Sequence, residues 1–150
     1  AVAVFFAVGF PYAVLLTWVR SGRLSDREIW DRAQRPAIML ITLASVALGL
    51  AALWALHVPR DLFVHMTAML AGLATTLAVT TRWKISIHTA CLAGIIVSLS
   101  ALVTLWAVGL IPLLVPLASS RMLLKHHSLG QVAAGSVLGA TVAAAVILSV

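Results

Sequence analysis

Lys84-Ile85-Ser86-Ile87-His88 stands between two long apolar runs, and Ser120-Arg121, five further residues and His127 stand between the next two. Hydrocarbon makes charged and imidazole side chains costly, so a membrane-embedded chain keeps them mainly where they act on something. Around these two islands, 63% of the 150 residues are hydrophobic and only 9% are charged. A soluble domain carries roughly 25% charged residues. The chain is therefore predicted to be an integral membrane protein. Its expected fold class is all-α, a polytopic membrane helix bundle of about six transmembrane helices, forming one domain over residues 1–150.

Six apolar runs extend outward from the islands. They are Ala1 to Val19, Ala37 to Val58, Leu62 to Thr81, Ile85 to Val108, Leu110 to about Leu124, and Leu129 to Val150. Pro11 is expected to kink the first run, and Pro112 and Pro116 mark the short fifth one. Turns are predicted at Pro59-Arg60-Asp61 and at Gly109. Arg20 to Pro36 is the most polar stretch. Within it, Ser25 with Glu28 three residues on forms a capping box and predicts a short interfacial helix, with Trp30 at headgroup level. Trp18, Trp54, Trp83 and Trp106 also fall near run ends, as an aromatic belt does. The small-residue stripe Gly135, Gly139, Ala140 and Ala143 to Ala145 predicts close helix packing. Cys91, the only cysteine, is expected to be a small buried residue. The chain opens on Ala1 with no basic segment before the apolar run, so no signal peptide is expected there, and the natural N-terminus is expected to be trimmed.

Parity places the polar residues. With six spans, the links after spans one, three and five share a membrane face. Those links carry nine of the ten Lys and Arg residues, and Arg60 alone lies on the other face. The positive-inside rule puts the richer face in the cytoplasm of a plasma or inner membrane. The sequence pI near 11.2 then reflects juxtamembrane charge. Membrane lipids are expected partners, nucleic acid is not, and the oligomeric state is left open.

Metal-free phosphoryl transfer needs cations and N–H donors around the phosphate oxygens, an in-line nucleophile, and an acid for the leaving group. Lys84 and Arg121 offer charge, and arginine adds a two-pronged fork. Ser86 opens span four, where free backbone N–H groups meet the interface. One of His88 and His127 can attack phosphorus while the other protonates the departing oxygen. The chain has no HExxH, CxxC or glycine-rich phosphate loop, so no metal and no cofactor are expected.

On these residues the chain resembles the type 2 phosphatidic acid phosphatase superfamily, the integral membrane lipid phosphatases. That family carries K-x6-R-P, P-S-G-H and S-R-x5-H-x3-D. Arg35-Pro36 matches the end of the first motif, Ser86-Ile87-His88 the serine and histidine of the second, and Ser120-Arg121-x5-His127 the third through its histidine. The resemblance implies His127 as nucleophile forming a phosphohistidine and His88 as general acid. It implies Arg35 and Arg121 as the phosphate clamp, assisted by Ser86 and Ser120. Three departures stand out. The first motif's lysine falls on Glu28, the proline and glycine of the second become Ile85 and Ile87, and the final aspartate becomes Gln131. A glutamine carbonyl can accept the Nδ1–H of His127 but cannot stabilise its imidazolium as a carboxylate would. Lys84, absent from the family pattern, is expected to replace the missing cation, and Asp31 is a candidate for the missing acid.

The expected activity is hydrolysis of a lipid phosphate or prenyl (di)phosphate, in phospholipid or isoprenoid metabolism. Two alternatives stand beside it. Asp26-x4-Asp31 suggests an intramembrane prenyltransferase or terpene cyclase, but a second magnesium-binding acidic cluster is missing. Gln131 and Glu28 suggest a non-catalytic relative that binds lipid phosphates.

Overall fold

A long apolar segment becomes a helix in hydrocarbon because a helix satisfies its own backbone polar groups. A computed structural model describes residues 1–25 and 32–150. These residues form six helices and no strand: α1 (Val2–Arg20), α2 (Arg35–Ala55), α3 (Arg60–Thr80), α4 (Ile87–Leu102), α5 (Leu105–Leu123) and α6 (Leu129–Ser149). All except α4 are long and apolar enough to cross a membrane. The fold is all-α, and the chain is an integral membrane protein. Some threonine hydroxyls within the spans bond back to their own helices, Thr42 to Ile38 and Thr67 to Phe63, which offsets their cost. The expected capping box at Glu28, the level of Trp30, and Asp26 and Asp31 lie outside the described residues. Ser25 instead donates through both N–H and Oγ–H to Gln34 Oε1, each at 3.2 Å.

Two compact units divide the chain, Ala1–Pro59 and Arg60–Val150. In the first unit, the expected disturbance at Pro11 takes a specific form. Residues Phe5–Gly9 make one π-helical turn, in which Phe10 N–H reaches the Phe5 carbonyl. The wider turn gives the proline ring room against the preceding carbonyls. In that register Pro11 would bond Phe6, but proline has no N–H. Ser45 of α2 supplies the missing donor, its Oγ 2.6 Å from the Phe6 carbonyl oxygen. Beside it, Gly49 admits the same residue. A methyl group on Gly49 would stand 2.6 Å from Phe6 Cβ.

In the second unit, α4 and α6 run parallel in tight contact. A methyl group on Gly135 would sit 2.5 Å from the Ser86 carbonyl oxygen, and one on Gly139 would collide with the Ala90 carbonyl. The predicted packing stripe is therefore the α4–α6 seam. α3 runs the other way, and at its start the Arg60 guanidinium donates to the Val150 carbonyl beyond the end of α6.

Two expectations are corrected here. The fourth span stops at Leu102 rather than Val108, and the break falls at Val103-Thr104, not Gly109. Val103 N–H and Thr104 N–H both bond the Leu99 carbonyl, and Thr104 is fully extended (φ −158°, ψ 131°). Two adjacent β-branched residues favour that exit. α5 then begins as a 3₁₀ segment, Leu105–Leu113, which runs through Gly109 and Pro112. The second correction concerns Cys91, which is exposed. It lies on the outer side of α4, where a small apolar side chain suits lipid as well as a core.

Candidate functional site

Helix ends determine which side chains meet. α3 ends, α4 begins, α5 ends and α6 begins at one end of the second unit, and the two intervening links are short. Ser86 caps α4, its Oγ accepting from Thr89 N–H at 3.4 Å, and its own N–H donates to the Gln131 carbonyl at 3.1 Å. The Thr89 hydroxyl, fully buried, lies 3.0 Å from the Val132 carbonyl oxygen on α6. The Trp83 ring reaches Gly130. The link 81–86 is thereby held against the first turn of α6.

α5 ends in a Schellman motif. Lys125 N–H bonds Met122 and His126 N–H bonds Arg121, at 2.8 and 3.0 Å, with Lys125 in the left-handed region (φ 56°). His127 N–H also bonds the Arg121 carbonyl, at 3.2 Å. The expected Arg121 and His127 are thus tied through the backbone. The Arg121 Nε donates to Ser120 Oγ at 3.4 Å, and that hydroxyl donates to Leu117 O at 2.8 Å.

α6 opens immediately afterwards on a capping box. Ser128 Oγ accepts from Gln131 N–H, and Gln131 Oε1 accepts from Ser128 N–H at 3.1 Å. The same Oε1 lies 3.2 Å from His127 Nδ1. The backbone N–H identifies the glutamine atom as oxygen, and an amide oxygen only accepts. Nδ1 therefore carries the proton, and in the neutral ring that leaves the lone pair on Nε2. His126 and His127 are almost equally buried, 9% and 8% exposed. What distinguishes His127 is its bond to Gln131.

Within the second unit, the side chains of this end are predominantly basic. Arg82, Lys84, Arg121 and Lys125 gather there, and the only carboxylate side chain in the second unit is Asp61, at the other end. The positive dipole ends of α4 and α6 point the same way. Nothing there matches a metal site, since no group of His, Cys, Asp and Glu side chains among the described residues could hold an ion.

The structure thus brings Ser86, Ser120, Arg121, His127 and Gln131 to one end, with Lys84 half-buried in the adjoining link. His88 is in the first turn of α4 but on its exposed side, with Cys91, whereas Ser86, Thr89, Ala90 and Ala93 face α6. Arg35 opens α2 in the first unit and is buried there, 6% exposed. Thr89 is the residue that sequence reasoning missed. Its spacing of three from Ser86 at a helix start was the available signal. In comparisons with known proteins, no family model, curated protein or solved structure matches the chain.

Proposed function

We propose that the protein is a metal-independent membrane phosphatase that hydrolyses a lipid phosphate or prenyl (di)phosphate, as its resemblance to the type 2 phosphatidic acid phosphatases suggests. One observation supports this reading: the His127 imidazole is held by Gln131 through Nδ1, at a basic end of the second unit that also carries Arg121 and Lys84. In this mechanism Nε2 attacks phosphorus, and the bond to the lipid oxygen breaks. His88, at the exposed rim of the same end, gives that oxygen its proton. Water then cleaves the N–P bond, releasing inorganic phosphate and freeing His127. Arg121 and Lys84 hold the phosphate oxygens, with Ser120 orienting the Arg121 side chain and Ser86 presenting the start of α4. The positive-inside bias places this face in the cytoplasm.

The test is phosphate release by purified protein from polyprenyl and glycerolipid phosphates, with and without EDTA. Chelator-insensitive release is expected, whereas magnesium-dependent activity would overturn the mechanism. A second reading rests on Gln131. With a neutral partner for His127, the same site binds lipid phosphates without turnover, and tight phosphate binding with no release on any substrate would favour that reading.

A further inference from the structure

Two helix starts meet at the candidate site, and the contact between them is polar. Thr89, in the first turn of α4, is fully buried. Its single O–H lies between two carbonyl oxygens, that of Ser86 on its own helix at 3.1 Å and that of Val132 on α6 at 3.0 Å. Three residues earlier, the Ser86 N–H reaches across to the Gln131 carbonyl at 3.1 Å. Two consecutive carbonyls of α6, those of Gln131 and Val132, are therefore held by the same turn of α4. Gly135 lets the helices come this close. A methyl group there would stand 2.5 Å from the Ser86 carbonyl oxygen and 2.7 Å from Thr89 Oγ1.

Neither carbonyl beside Thr89 needs its hydroxyl to avoid being orphaned. The Ser86 oxygen also accepts from Ala90 N–H at 3.1 Å, and the Val132 oxygen also accepts from the Ser136 hydroxyl at 3.0 Å. What the Thr89 hydroxyl adds is register. Contact between small residues resists closer approach but not sliding, whereas a hydrogen bond holds its length within a few tenths of an ångström. The register matters because the first turn of α6 carries the Gln131 amide. Its oxygen accepts from Ser128 N–H at 3.1 Å and lies 3.2 Å from His127 Nδ1. The tautomer of a histidine follows the hydrogen bond made by its other ring nitrogen. Thr89 and His127 thus stand at the two ends of one connected run of bonds.

We infer that Thr89 is a positioning residue for the His127 imidazole: it holds the start of α6 where the Gln131 amide keeps the His127 proton on Nδ1. Its part in turnover rests on the lipid phosphatase reading, whereas the proton position is read without turnover. The measurement is NMR of the full chain in nanodiscs, isotope-labelled at the histidine ring nitrogens, with the His127 signals identified by their loss in His127→Ala. Thr89→Val keeps nearly the same shape and removes the hydroxyl. It should move the neutral ring toward the Nε2–H tautomer, changing the tautomer ratio about fivefold, the equivalent of ~1 kcal/mol for one hydrogen bond. It should lower kcat by a similar factor with KM near the parent value, and Thr89→Ser should restore both readings. Thr80→Val is the control. Thr80 is equally buried, but its hydroxyl has no partner among the described residues, so the same exchange there should leave the His127 signals in place. An unchanged tautomer ratio in folded Thr89→Val, an equal change in Thr80→Val, or no rescue by Thr89→Ser overturns the inference. Should Thr89→Val misfold, Thr89→Ala, which only removes atoms, makes the same test, and misfolding of both would make Thr89 a folding residue alone and overturn the inference too. A shifted tautomer in a protein that releases phosphate from no substrate retires the phosphatase reading and keeps the positioning role. Phosphate release by the parent, with a tautomer that Thr89→Val does not move, does the reverse.

Discussion

α5 and α6 are consecutive helices joined by five residues with bonded N–H groups, yet they are built oppositely. α6 is regular for 21 residues and presses glycine against α4. α5 enters as a 3₁₀ segment, carries two prolines and leaves through a lysine in the left-handed region. The regular helix supplies the fixed part of the candidate site, because Gln131 cannot move without breaking its own cap. The irregular helix supplies charge at one end and space beneath it. The contrast separates two kinds of packing: the regular helix fixes the partner of the His127 imidazole, and the loosened one leaves an apolar cleft against α4 and α6.

The largest effect is expected at the junction of the two helices. His127→Ala should abolish phosphate release, with a loss on the order of 10³-fold or more, as when a nucleophile is removed. His126→Ala, at its equally buried neighbour, should retain most of the activity. If the two variants behave alike in rate assays, the tautomer argument fails. Stability of the seam comes next. Gly139→Leu pushes a branched side chain into the Ala90 carbonyl and should cost about 3 kcal/mol, at the upper end for overpacking. Thermal unfolding in detergent measures this. An equally bulky change at Gly109, which has open space around it, should cost far less.

Gln131 sharpens the comparison by pH. Gln131→Leu removes the acceptor from both Ser128 N–H and His127 Nδ1–H, at a cost of roughly 1–3 kcal/mol in stability. Gln131→Glu keeps the acceptor but adds charge. A carboxylate there stabilises the imidazolium, so the His127 pKa rises relative to the parent and the free Nε2 base is lost at a higher pH. The acid limb of the kcat/KM profile should therefore move upward, by roughly one unit. An unmoved limb would mean that His127 is not the titrating nucleophile.

Much of this was legible in the sequence, for physical reasons that differ by residue. Hydropathy alone marks the membrane runs, because burial in lipid needs a continuous apolar stretch and little else. The spacing of four pointed to the His127–Gln131 bond, though His127 lies just before the helix and the glutamine reaches it by turning back over the Ser128 cap. The end of α4 was not. Gly109 looked like the turn, but the break is made by Val103-Thr104, and nothing local outweighs a glycine until Leu99 is seen to accept two backbone bonds. The facing of His88 was equally hidden. It depends on which side of α4 meets α6, and the glycines that decide this lie some fifty residues away.

The smallest predicted effect tests whether the exit of α5 is a matter of geometry or of charge. Lys125 occupies a left-handed position that costs an L residue ~1–2 kcal/mol, while glycine there gives back roughly 0.5–1 kcal/mol in the unfolded chain. Lys125→Gly should therefore stabilise the protein by less than about 1 kcal/mol. His57 (φ 50°) closes α2 in the same motif, with Val58 N–H on Leu53 and His57 N–H on Trp54. His57→Gly is thus the matched control in the first unit. Equal gains in melting temperature for both variants assign the effect to backbone geometry. A loss of phosphate affinity in Lys125→Gly alone, measured by inorganic phosphate inhibition, adds this lysine to the cationic rim. If neither variant changes, the Schellman geometry of α5 contributes no measurable strain, and the looseness of that helix lies entirely in its 3₁₀ entry.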